Sequence, residues 1–146
     1  ISNSVFDNNS AFGKGNMTPN NNNGGALVVT QGNIPMSGTI INSNFTNNKA
    51  QYGGAAWINE GTVDISNSNF INNTATVEAG AIGFEPAYTK ITATVYGTNF
   101  INNTAGVDGG AIYSNGDLRI SDSDFDNNKA QKADIIYSSK VAKPFR

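Results

Sequence analysis

An eleven-residue motif, Ile65 to Ala75, reading I-S-N-S-N-F-I-N-N-T-A, occurs five times and constrains the fold more than any other feature. It reads ISNSVFDNNSA around Phe6, IINSNFTNNKA around Phe45, VYGTNFINNTA around Phe100 and ISDSDFDNNKA around Phe125. The Phe-to-Phe steps are 39, 25, 30 and 25 residues, so a unit of about 25 residues repeats with insertions, in the range of solenoids. A second motif follows each copy: Gly24-Gly25-Ala26, Gly53-Gly54-Ala55, Ala79-Gly80-Ala81, Gly109-Gly110-Ala111 and the degenerate Ala133-Asp134-Ile135.

Each column of the repeat has a physical role. Ile1, Ile40, Ile65, Val95 and Ile120 form one apolar column and the five Phe form another, five residues later. An odd separation sends the two to opposite faces of a straight strand, so a bend must lie between them. The column three before Phe supplies it: Asn3, Asn42, Asn67, Gly97 and Asp122 are residue types that tolerate left-handed backbone. Ser4, Ser43, Ser68, Thr98 and Ser123 share the inward parity of Phe, and the expectation is that their stacked hydroxyls bond to one another. The two Asn after Phe suit a turn and an amide ladder. The Ala five residues after Phe then enters the next short side. Leu27, Ala56, Ile82, Ile112 and Ile136 make a third inward column. This predicts a rung of three short strands. Such a rung cannot bury its apolar side alone and must stack on its neighbours.

The fold class expected is therefore all-β, a parallel β-helix of about five rungs of about 25 residues, spaced about 4.8 Å apart. Gly, Asn and β-branched residues dominate where helices need Ala and Leu, which excludes an α-solenoid.

The pairing of F-x-N-N-x-A with G-G-A-I resembles the repeat of chlamydial polymorphic outer-membrane proteins, and also the Asn-rich adhesin-like surface proteins of methanogenic archaea. The resemblance runs from Ile1 to about Ser139. It implies a right-handed parallel β-helix of the pectate-lyase-like type on a cell surface, hence an extracellular adhesin-like module. A chain that starts at Ile1, inside a repeat, reads as a fragment, with 1–139 as the repeat domain. Residues 140–146 read as a basic tail or linker: five of the nine basic residues lie in the last 18 positions.

Composition excludes several functions. Net charge is -2 and only 14% of residues are charged, so no electrostatic case for nucleic acid exists. Cysteine and histidine are absent, removing thiolate metal sites, disulfides and the commonest general base. No apolar run reaches the roughly 20 residues of a membrane span. No cofactor or metal is expected. For catalysis the best cluster is Asp122, Asp124 and Asp126 with Arg119. The matching positions one rung earlier are Gly97, Asn99 and Ile101, so no pair of acids faces across a groove. The trio reads as a solvated face and no catalytic residue is assigned.

Candidate binding residues lie on the outside. Beside the inward Ile column runs Val28, Trp57, Gly83, Tyr113 and Tyr137, and alternation points Trp57 to solvent beside the gap at Gly83. Such a face suits a glycan ring or a flat protein side chain. The corner after Gly-Gly-Ala is tight at Asn59-Glu60-Gly61 and Asn115-Gly116-Asp117, and longer where it carries Met36 and where it carries Phe84 and Tyr88. Insertions on one corner of a solenoid often form its binding face. Five N-x-S/T sequons, at Asn8, Asn16, Asn44, Asn72 and Asn102, are candidate glycosylation sites, with Asn16 in the Gly13 to Asn23 loop the most accessible. The partners expected are a cell-surface glycan or protein, or further copies of the chain through the β-helix ends. A purely structural fibre or coat module and a fragment of a polysaccharide lyase or hydrolase are the alternatives.

Overall fold

The computed structural model describes residues 1–12, 22–30, 36–87, 89–133 and 135–138. It is a parallel β-solenoid of four sheets, with five strands in two of them and four in the others, so the strands make about four turns. The Ile sheet contains Ser37–Ile41, Gly61–Ser66, Ile91–Tyr96 and Asp117–Ser121. The Phe sheet contains Val5–Asp7, Asn44–Thr46, Asn69–Ile71, Asn99–Ile101 and Asp124–Asp126. The Ala sheet contains Ser10–Ala11, Lys49–Tyr52, Thr74–Glu78 and Thr104–Ala105. The fourth sheet contains Leu27–Val29, Ala56–Ile58, Ile82–Phe84, Ile112–Ser114 and Ile136–Ser138.

Register follows the sequence columns. Ile40 pairs with Ile65 and Ile65 with Val95, and Phe6, Phe45, Phe70, Phe100 and Phe125 pair in series. The predicted bend is present: Asn3, Asn42, Asn67, Gly97 and Asp122 all have φ between 48° and 55°. Both columns therefore point inward, and Ile65, Val95, Phe45, Phe70 and Phe100 are buried. The Phe rings stack with centroids 4.7 to 5.1 Å apart and planes within 9°. That distance is the rung spacing itself. Each such contact contributes roughly 0.5–1.5 kcal/mol beyond burial.

The rung has four strands rather than the three expected, because the Ala column is bounded by two left-handed corners. Asn8, Asn47, Asn72, Asn102 and Asn127 make the first, with φ from 52° to 58°. Gly24, Gly53, Ala79 and Gly109 make the second, with φ from 57° to 67°. The glycine that follows is required for another reason. A Cβ on Gly25, Gly54 or Gly80 would lie 2.0 to 2.2 Å from the carbonyl oxygen of the matching glycine in the next rung. The Gly-Gly dipeptide thus combines a left-handed turn with a close approach between backbones.

Polar columns line the inside of the bends. The second Asn after Phe forms a ladder: the amide of Asn48 donates to Asn73 Oδ1, Asn73 to Asn103 Oδ1 and Asn103 to Asn128 Oδ1, at 2.9 to 3.1 Å. Each amide also donates to the Phe carbonyl of the preceding rung, and each Oδ1 accepts a backbone N–H. Asn48, Asn73 and Asn103 have no solvent exposure, and this network satisfies their polar atoms. The Ser column departs from the expectation of hydroxyl-to-hydroxyl bonds. Each hydroxyl donates to the carbonyl two residues before it and accepts the N–H of its counterpart in the preceding rung, as at Ser43 and Ser68. The ladder runs through the backbone because the bend turns that N–H inward.

Candidate functional site

The outward column of the fourth sheet carries stacked aromatic side chains. Trp57 pairs with Gly83, Gly83 with Tyr113 and Tyr113 with Tyr137, all in parallel register. Tyr113 and Tyr137 are half-buried and stack with centroids 4.8 Å apart and planes 8° apart.

Trp57 corrects the sequence reading. Its side chain takes the outer face, as alternation requires, yet it is only 5% exposed. The indole lies across Gly83 and stacks on Tyr113 at 6.2 Å, while Tyr52 packs against it at 5.4 Å with a tilt of 57°. The gap left by glycine is filled by the indole rather than open to a ligand. Phe84 is a second correction. It lies two residues after the inward Ile82, shares its parity, and belongs to the core with no exposure.

Met36 is exposed at 45%, but it sits beside Gly61 at the start of the Ile sheet, outside the aromatic column. There it borders a cavity of about 180 Å³ lined largely by apolar groups, including Leu27, Val29 and Ile40. Tyr88 and Asn16 lie outside the described residues, as do most of the Gly13 to Asn23 loop and residues 139–146. The sequon residues Asn8, Asn44, Asn72 and Asn102 are exposed, three of them at left-handed corners and Asn44 on the outer face of the Phe sheet.

Acidic residues flank the aromatic column on both sides. Before the Gly-Gly corner, Glu78 pairs with Tyr52 on one side and forms a bridge to Asp108 on the other. After the strand, Glu85 follows Phe84, and its carboxylate accepts a 2.5 Å hydrogen bond from Asn115 Nδ2. The same Nδ2 donates to the Tyr113 hydroxyl at 3.0 Å. Burial, and then the neighbouring Glu85 and Asp108, raise the Glu78 carboxyl above its usual range. Burial and the negative charge of Glu78 push the Tyr113 phenol up to about 12, against the lowering effect of its bond from Asn115. Sequence reasoning did not single out Tyr52, Glu78, Glu85 or Asn115 for this face. The signal existed for two of them: Tyr52 and Glu78 directly precede the corner, in the same column as Asp108.

The acidic trio weighed for catalysis is dispersed. Asp124 and Asp126 flank Phe125 on the exposed face, opposite Asn99 and Ile101, while Asp122 makes the left-handed bend. Among the described residues no three His, Cys, Asp or Glu side chains are grouped to hold a metal ion.

No curated protein and no solved structure matches the chain. The Chlamydia polymorphic membrane protein repeat matches residues 97–115. That segment runs from the bend at Gly97 through Phe100 and Gly-Gly-Ala to Asn115, and it includes Asp108 and Tyr113. The chain thus carries a repeat of the Chlamydia polymorphic membrane protein type, set in a parallel β-solenoid.

Proposed function

We propose that this chain is an extracellular, cell-surface adhesin module, a stiff β-solenoid that binds a glycan or protein ligand through the outer face of its fourth sheet. The observation that carries the reading is the position of the matched repeat. Two of its outward residues, Tyr113 and Asn115, lie on a face where, among the described residues, stacked aromatic rings and hydrogen-bonding side chains converge. Tyr113 and Tyr137 offer the contact surface, and Trp57 supports them from beneath. A half-buried aromatic surface with a polar rim is the usual composition of a recognition site.

The repeat is named for membrane proteins, which supports a place at the cell surface. In a host that glycosylates, that location makes the exposed sequons at Asn8, Asn44, Asn72 and Asn102 substrates. The test is an array of glycans and extracellular proteins probed with the purified chain and with Tyr113→Ala. The expected result is at least one ligand whose binding falls about tenfold in the variant, the loss of one aromatic contact of ~1.4 kcal/mol. Failure to bind any ligand would move the function to structural assembly. Release of soluble sugar would move it to an enzyme.

A further inference from the structure

We infer that the aromatic face takes a positively charged ligand, a basic segment of a protein partner whose arginine or lysine side chains lie along the tyrosine column. The inference rests on the binding reading above and narrows it to one ligand chemistry.

Three carboxylates surround one aromatic column. Glu78 and Asp108 stand on adjoining rungs on one flank, and Glu85 stands on the other. Their charges reach the centre of the face: Glu85 and Asp108 both disfavour the charged form of Glu78, and Glu78 and Glu85 both disfavour ionisation of Tyr113. Among the described residues no lysine or arginine forms an ion pair with any of the three. The ion pair Lys90–Asp117 involves none of the three. Like charges held together without a counter-charge raise the free energy of the unbound chain, and a cation relieves it.

The shape of the site selects the kind of cation. The carboxylates are not grouped as metal ligands, and they straddle the column instead of converging on a point. Stacking covers the inner faces of Tyr113 and Tyr137, so the column presents ring edges and hydroxyls, with Tyr137 at one end. Arginine and lysine match this arrangement, with an apolar stem to lie along ring edges and a charged head to reach a flanking carboxylate. The hydrogen bond from Asn115 fixes Glu85 in place, and a positioned carboxylate makes the stronger, charge-assisted bond. The same charges reject sulfated, sialylated or uronic-acid glycans by repulsion.

The test is fluorescence titration of the purified chain with an oligo-arginine peptide, read through Trp57, the single tryptophan and a direct neighbour of the column. The paired variant Glu78→Gln with Glu85→Gln is isosteric, and it is compared with Asp124→Asn with Asp126→Asn, which removes the same charge from the Phe sheet. Circular dichroism confirms that both stay folded. The inference expects the peptide to bind, and the glutamine pair to weaken it by about tenfold or more, the scale of one charge-assisted contact. It expects the asparagine pair to leave binding within about twofold, the residue of general charge attraction. Equal weakening by both pairs, or preference for an aminated glycan over the peptide, overturns it. Binding of a neutral or anionic glycan that depends on Tyr113, without peptide binding, also overturns it and leaves the adhesin reading standing.

Discussion

The indole of Trp57 occupies the space above Gly83: a Cβ on that glycine would sit 2.2 Å from ring atoms Cε3 and Cζ3. One residue without a side chain therefore decides where the largest side chain of the outer face rests. Because Trp57 then stacks on Tyr113, the glycine also sets the spacing of the aromatic column.

Gly83→Ala should lift the indole off the sheet. The expected cost is about 1–3 kcal/mol, the range for overpacking a filled site. Tryptophan emission should shift to the red as the ring meets water. Unchanged emission and stability would mean that the indole does not lie over Gly83.

The Asn ladder should be more costly to cut than its single residues suggest. Replacing Asn73 by Ala strips the acceptor from the backbone N–H and the amide of Asn48, and the donor from Phe45 O and Asn103 Oδ1. Unsatisfied buried groups cost about 1–3 kcal/mol each, so a loss on the order of 3 kcal/mol or more is expected in denaturant unfolding. Asn69→Ala, on the outer face of the same rung, should cost under about 1 kcal/mol.

Bend residues should answer to backbone conformation alone. Asn67 has φ 49° and is exposed, so Asn67→Ala should cost about 1–2 kcal/mol through strain. Asn67→Gly should cost less. A glycine variant as unstable as the alanine one would show that the side chain, and not the left-handed turn, is what the position needs.

The repeat columns made most of this architecture legible. A bend-forming residue between two apolar columns fixed both as inward, and Phe45, Phe70 and Phe100 lie where that argument places them. The fourth strand was harder to see, because Ala50 and Ala75 are too small to mark a face by hydrophobicity, and the corner after them turns at Gly53 in one rung and at Ala79 in the next. The candidate site was legible as a column and misread in detail. Alternation gives the face a side chain takes, but how far it is covered depends on neighbours in other rungs. Trp57 is covered by Tyr52 and Tyr113, which lie five residues before it and 56 after it in sequence. Phe84 opens the longer corner in the sequence, yet its parity with Ile82 already points inward.

The acids beside the column should leave a mark on the pH dependence of stability. The carboxyl of Glu78 is raised in the folded chain by burial and by Glu85 and Asp108, so in the window just above the usual carboxylate range the folded chain holds a proton the unfolded chain has released. Its contribution is present below the unfolded value and lost as pH rises through the folded one. Stability should fall across that window, and Glu78→Gln should remove the slope. The gain at neutral pH should be under about 0.5 kcal/mol, because much of the side chain meets solvent. In an alkaline absorbance titration Tyr113 should ionise near pH 12, late for a phenol.

Oxidative side-chain footprinting of the chain with a ligand selected from the array tests the location of the binding face most directly. Tyr and Trp side chains are reactive probes, and they are present in the column and away from it. The account predicts protection of Tyr113 and Tyr137 on ligand addition, with Tyr96, half exposed at the end of its strand in the Ile sheet, unchanged. Protection of Tyr96, with Tyr113 and Tyr137 still fully reactive, would contradict it and move the ligand to another sheet.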